Sequence, residues 1–349
     1  METFWYAAVA LVLAIYIVLD GFDFGVGIVY LFAARTESER RTALLSIGPV
    51  WNGNEVWLIA GGGLLFFAFP KAYAAGFSGF YLALMLVLWL LIMRGLALEL
   101  RSHLDHHLWK QLWDAAFSGA SLLLAFVFGA ALGNLIRGVP LNHEGFFFVA
   151  LWTDFLTGPE PGILDWFTVL IGLTSVSILA LHGACYLAMK TEGELYRRAD
   201  RFASLAGWVT VGSTLLTVVT IQVVQPNLRL NFARHPFEYL LPLTGMLMLG
   251  STLYFRFRHS DTAAFLASSF FILSMLGSVA FGMYPHILVS TTDPELSLTA
   301  FNASTDTYGM EIGFTWFVVG LVLVLAYQIY AHHAFRGKVG AYGDYSVPE

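Results

Sequence analysis

A chain of 349 residues with 58% hydrophobic side chains, only 12% charged ones and a mean hydropathy of +0.70 excludes a soluble globule, whose polar surface would need about 25% charged residues. The formal net charge of −6 is divided among short polar stretches between long apolar runs, so it offers no basic face to a nucleic acid. The composition is that of an all-α polytopic membrane protein, read as a single domain over residues 1–349.

Windows of about 20 residues, the length that the hydrocarbon core demands, fall at 4–32, 50–70, 76–98, 115–135, 163–188, 203–224, 237–256, 263–283 and 312–333. The expectation is nine transmembrane helices. The first run is longer than one crossing requires and leads into the polar segment Asp20-Gly21-Phe22-Asp23. With no basic segment before it and no small-residue cleavage site after it, it reads as a permanent helix and not as a removable signal.

Two carboxylates in the first run sit three residues apart, Asp20 and Asp23, one turn from each other on a helix. The second run opens with Trp51-Asn52-Gly53-Asn54-Glu55-Val56-Trp57, where Asn52 and Glu55 repeat the spacing. Each ionised group near the bilayer centre costs on the order of 2.5–3.5 kcal/mol by insertion scales, so such groups mark function or a specific helix contact. A proton relay and a purely structural set of acceptors are both open on chemistry alone. The surrounding Gly21, Gly25, Gly27 and Gly61-Gly62-Gly63 point first to close helix packing.

The later segments add little chemistry. Outer connections at 134–162, with Phe146-Phe147-Phe148 and Trp152, and at 284–311, rich in Ser, Thr and Asn, suit an interface. The only cysteine, Cys185, lies within the fifth window, which excludes an internal disulfide or a cysteine metal site. Nine of the ten histidines fall at helix ends or in loops, leaving His182 inside a helix, and one buried imidazole cannot form a bis-histidine haem site. No haem ligated by this chain is expected.

Of the eighteen Lys and Arg residues, Lys71, Arg137, Arg229 and Arg234 fall on one side of the predicted topology. The others, Arg94, Arg101 and Arg256 among them, fall opposite. Retention of basic loops in the cytoplasm then sets the N-terminus outside and the C-terminus inside.

Taken together, Asp20 to Gly27, Trp51 to Trp57 and Phe77-Ser78-Gly79-Phe80-Tyr81 resemble the signature of cytochrome bd oxidase subunit II. So do Arg94 with Glu99 and Arg101, Trp113-Asp114, Gly133-Asn134-Leu135, Gly138-Val139-Pro140, Gly193-Glu194-Leu195, Ser297-Leu298-Thr299 and Asn302-Ala303-Ser304. The resemblance runs in order along essentially the whole chain.

It implies a haem-free subunit made of two four-helix bundles plus one peripheral helix, paired with a larger subunit I that carries haems b and d. That complex would oxidise quinol and reduce oxygen to water in a bacterial or archaeal cytoplasmic membrane, with quinone and lipid as small partners and room for small accessory subunits. It further implies a cytoplasmic proton path at Asp23 and at the residue in position 52, an apolar oxygen route near Trp57, and structural or partner-facing roles for Arg94, Glu99 and Arg101. Where the family run usually reads Trp-Asp-Gly-Asn, this chain has Asn52, an amide that cannot release a proton as a carboxylate does. Glu55 one turn on could replace it, water could make that step, or the route could be weak. A proton-coupled secondary transporter and a purely structural scaffold are the competing readings.

Overall fold

A computed structural model describes residues 1–340 and 345–346; the rest of the domain expected over 1–349, the C-terminus with it, lies outside the described residues. The elements in order are α1 (Glu2–Ala33), α2 (Glu37–Ile47), α3 (Trp51–Ala68), α4 (Pro70–Gly79), α5 (Tyr81–Leu100), α6 (His107–Arg137), α7 (Trp166–Lys190), α8 (Gly193–Val224), α9 (Leu228–Arg234), α10 (Leu240–Phe257) and α11 (Asp261–Met283). The hairpin β1 (His286–Leu288) and β2 (Leu298–Thr299), then α12 (Thr307–Ala334) and the short pair β3 (Lys338–Val339) and β4 (Tyr345–Ser346), complete the chain.

Every apolar window falls on a helix. Among the described residues, eight helices are long and apolar enough to cross a membrane; the second window forms α3, whose 18 residues include Asn52, Asn54 and Glu55 and are the more polar for it. α1 runs unbroken through Asp20 and Asp23, and its 32 residues span about 48 Å at 1.5 Å each, well beyond the hydrocarbon core.

Local chemistry sets the boundaries. Phe69-Pro70 stops α3 because the residue before a proline is driven out of the helical region, and Pro70 then opens α4 where its missing N–H is harmless. Thr36 and Glu39 cap α2 reciprocally, and Asp165 caps α7 by accepting from the amides of Phe167 and Thr168.

α1 and α7 form the centre. α1 packs on α3, α6, α7 and α11; α7 also packs on α6, α8 and α11; α10 joins α8 and α11, and α5 joins α6. In lipid, apolar burial gives no drive to associate, so close van der Waals contact decides which helices meet. At the crossing, a Cβ on Gly25 would lie 2.0 Å from the Leu179 carbonyl oxygen, and one on Gly183 would lie 2.1 Å from the Gly25 carbonyl carbon, so the two backbones touch. α12 lies outermost: 6% of its most apolar stretch is buried, against 67% for α7. It is attached by rings, Phe314 on Phe4 at 4.9 Å and Phe317 on Trp5 at 5.4 Å.

The two outer connections pack on each other. Val139 N donates to Val289 O, Thr291 N to Val139 O, and Thr292 Oγ1 to Leu141 O. Beneath them Arg137 is buried against the carboxylate of Asp165 and the side-chain oxygen of Asn134. One correction follows from the helix interiors: Arg94, counted above as a cytoplasmic charge, is fully buried within α5 and reports helix pairing, not topology.

Candidate functional site

α1 is sealed on all sides from Asp20 to Tyr30, with Asp20 and Asp23 both 0% exposed, so each acid needs a partner from another helix. Asp20 takes Arg94 of α5 in a two-pronged contact, Nη1 to Oδ1 at 2.6 Å and Nη2 to Oδ2 at 3.2 Å. Tyr16, one turn earlier, buries its hydroxyl, which among the described residues has no hydrogen-bond partner. The same Nη2 also donates to Glu55 Oε1 of α3 at 2.9 Å, and the guanidinium carbon stands 4.5 Å from the centre of the Phe24 ring. Among the described residues, Arg94 Nε finds no acceptor.

Asp23 has a different partner. Asn54 Nδ2 donates to its Oδ2 at 2.9 Å and to the Leu19 carbonyl at 3.2 Å, while Asn54 Oδ1 accepts from Gln328 Nε2 of α12 at 2.9 Å. Asp23 Oδ1 is enclosed and, among the described residues, accepts from nothing. Asp20 and Glu55 therefore share one guanidinium, and Asp23, one turn on from Asp20, is held instead by an amide pair.

The residues singled out from sequence divide accordingly. Asp20, Glu55 and Arg94 come together; Asp23 is bridged to Asn54; Asn52 is exposed at the first turn of α3 and joins neither group. At about 100° per residue, positions 52 and 54 point to nearly opposite sides, so a helix that turns Asn54 inward turns Asn52 out. Trp57 is 3% exposed and packs in the main core. Glu99 is exposed; among the described residues its side chain has no partner, and its backbone carbonyl accepts from His103 Nδ1 at 3.0 Å.

Arg101 belongs to a second cluster at the end of α5. Its Nε donates to Asp114 Oδ1 of α6 at 2.5 Å and its Nη1 and Nη2 to Glu37 of α2 at 3.1 and 2.9 Å. Arg40 and the Tyr30 hydroxyl complete the ring around the buried Asp114. The Arg101 fork, aided by Lys110, holds the exposed Glu37 carboxyl below its ordinary value of 4.5. A depressed folded value means that the contact stabilises above about pH 4.5 and is lost as pH falls through the folded value. We expect Glu37→Gln to cost less than about 1 kcal/mol at neutral pH, since Glu37 itself is exposed, and so to lower the melting point modestly, with the difference from the parent vanishing in acid. An equal difference in melting point at pH 3 and pH 7 would refute it.

Sequence reasoning missed Asn54 and Gln328 as partners of Asp23. The available signal was Gln328, the one amide of α12, which hydrocarbon tolerates only when it is paired.

His182 was tested as a haem ligand. Its Nδ1 lies 2.7 Å from Ser268 Oγ, its Nε2 3.0 Å from the Val18 carbonyl, and its ring stacks on Phe265 at 4.9 Å. Both nitrogens are engaged, so His182 as placed offers no free nitrogen to a haem iron. An apolar groove of about 500 Å³ runs alongside, lined by Leu13, Tyr16, Phe77, Phe128, Leu132 and Ile178 among others; Trp57 is not part of its wall.

The sequence profile of the cytochrome bd terminal oxidase subunit II family matches residues 1–335. The chain is 32% identical over 362 residues to the cytochrome bd-I ubiquinol oxidase subunit 2 of Escherichia coli (strain K12), covering 96% of this chain and 94% of that one. It is 30% identical over 342 residues to the cytochrome bd ubiquinol oxidase subunit 2 of Bacillus subtilis (strain 168), covering 97% of each. A chain of the bd oxidase from Geobacillus thermodenitrificans shares the fold, with a TM-score of 0.76 at 19% identity over 96% of this chain and 98% of that one.

Proposed function

Because this chain belongs to the cytochrome bd terminal oxidase subunit II family, we propose that it is the haem-free subunit of a respiratory quinol oxidase and carries protons from the cytoplasmic side toward its haem-bearing subunit I. The observation that carries the reading is Asp23, sealed within α1 with Oδ1 open, beside two more carboxylates that share one guanidinium. An excess of acid over base in a low-dielectric interior is resolved by a bound proton, and a group that must hold a proton can pass it on. Glu55, 26% exposed, is the acid of this cluster that reaches outward, and it supplies the carboxylate absent at position 52.

The haems of the complex belong to subunit I in this reading, which the saturated nitrogens of His182 support. Nine crossings, with α3 as the second, are supported by its contact with α1. α1, α3, α5 and α6 then form one four-helix bundle, α7, α8, α10 and α11 the other, and α12 the peripheral helix. The charge count supports an outer N-terminus and a cytoplasmic C-terminus. The apolar groove would admit oxygen or the tail of a quinone or lipid, while Trp57, which the family resemblance puts near an apolar oxygen route, stands outside its wall. The exposed apolar face of α5, which includes Trp89 and Ile92, suits subunit I, with Glu99 at its edge, and leaves α12 for small accessory subunits.

Asp20 favours a second, structural role, since its two oxygens are both held by Arg94. In the assembled complex, Asp23→Asn should slow quinol-driven oxygen consumption about tenfold, and Glu55→Gln by more than about twofold, with the haem spectrum and assembly intact. Both variants turning over at the parental rate would leave the chain a scaffold.

A further inference from the structure

From the proposed cytoplasmic end, the Asp23 cluster is reached along one polar stripe of α12. This helix buries only Met310, Gln328 and Ala331, and it is Gln328 that holds Asn54 against Asp23. One turn on, on the same face, stands His332, half-buried, followed by the exposed His333. His332 Nδ1 lies 3.0 Å from the Gln328 carbonyl oxygen, while its Nε2 is enclosed and, among the described residues, has no hydrogen-bond partner. A carbonyl only accepts, so Nδ1 bears the hydrogen and the Nε2 of a neutral ring keeps an open lone pair.

We propose that His332 loads protons onto the Asp23 route, with Gln328 as its positioning residue. This rests on the reading of that cluster as a proton path. The half-buried ring turns Nε2 to water at the inner end of α12, takes a proton there from hydronium and becomes imidazolium; it then passes the proton by way of water toward the unpaired Asp23 Oδ1, restoring the neutral ring, so that one proton moves inward and nothing is oxidised. Gln328 does two things: its carbonyl fixes the tautomer that leaves Nε2 free, and its side chain turns Asn54 so that Oδ2 is occupied and Oδ1 is not.

The surroundings suit a transfer station. Lys190 of α7 brings a positive charge near the ring while donating to the Phe335 carbonyl at 2.7 Å. From α1, the Phe22 ring stands 6.4 Å away, edge to face, with Asp23 the next residue. Just past α12, Arg336 lies 3.1 Å from a ring nitrogen of His333, outside the stripe. The loaded ring thus has a like charge beside it. The competing account is that a histidine in the last turn merely complements the helix dipole.

The test uses the whole oxidase in its own membranes, with haem absorbance confirming assembly. Quinol-driven oxygen consumption is followed from about pH 6 to about pH 9, across the range where an imidazole changes charge. His332→Gln should slow turnover about tenfold, with the deficit largest at the alkaline end where protons are scarce, and imidazole in the medium should restore much of the rate. If His332→Gln does not assemble, the smaller His332→Asn is read in the same way.

A rate within about twofold of the parent for His332→Gln, with Asp23→Asn slow, overturns the loading role and leaves the Asp23 route standing. Parental rates for both variants overturn the route as well. A deficit independent of pH and untouched by imidazole assigns His332 to packing and likewise ends the proposal.

Discussion

Arg94→Gln should be among the most damaging single changes in the molecule, destabilising it by about 3–5 kcal/mol, because it leaves Asp20 buried without its counter-charge. Arg94 is itself 0% exposed, so neither it nor Asp20 can turn to water when the other is removed. Glutamine retains one donor group but not the planar fork that meets both Asp20 oxygens while reaching Glu55. The measurement is the thermal unfolding midpoint of the solubilised complex, together with its yield. Removing both charges is expected to be far milder: Arg94→Met with Asp20→Leu should recover most of the loss, since an apolar pair of similar volume often equals a buried ion pair, and Glu55 is exposed enough to hydrate itself. If the single variant melts with the parent, the ion pair is not what fastens α5 to α1.

The second large effect is steric. Gly25→Ala should destabilise by more than about 3 kcal/mol, beyond the usual 1–3 kcal/mol of an overpacked core, because the added carbon meets backbone and not a side chain that can rotate away. It would lie 2.0 Å from the Leu179 carbonyl oxygen and 2.6 Å from the Gly183 nitrogen, so α1 and α7 would have to separate. Separation would also displace Asp20 and Asp23 from the partners they meet on α5 and α3. Gly62 and Gly63 are the controls: nothing lies within 4 Å of a Cβ there, and alanine in their place should be neutral or stabilising by up to about 1 kcal/mol through helix propensity. Equal melting points for Gly25→Ala and Gly62→Ala would mean that the crossing is looser than the backbone contact requires.

Much of this protein is written locally in its sequence. Transfer of side chains between water and hydrocarbon is nearly a property of each residue, so apolar windows located every long helix, and the polar breaks between them located the connections. Ionisable groups are so unfavourable in lipid that Asp20, Asp23 and Glu55 stood out without any structure, and the order of motifs along the chain was enough to indicate the family. Which partner each acid takes was not legible. That depends on how far each helix is rotated about its axis and how deep it sits against its neighbours, and neither quantity is fixed by the hydropathy of one segment. A rotation of α3 decided that Asn54 and not Asn52 meets Asp23. The depth of α5 turned Arg94 from a residue counted with the cytoplasmic charges into the counter-ion of Asp20 and Glu55, and the lateral docking of α12 brought Gln328 from 274 residues away to Asn54. Tertiary structure alone made these choices, because hydrogen bonds in a dry interior are satisfied between helices whose sequences say nothing of one another's orientation.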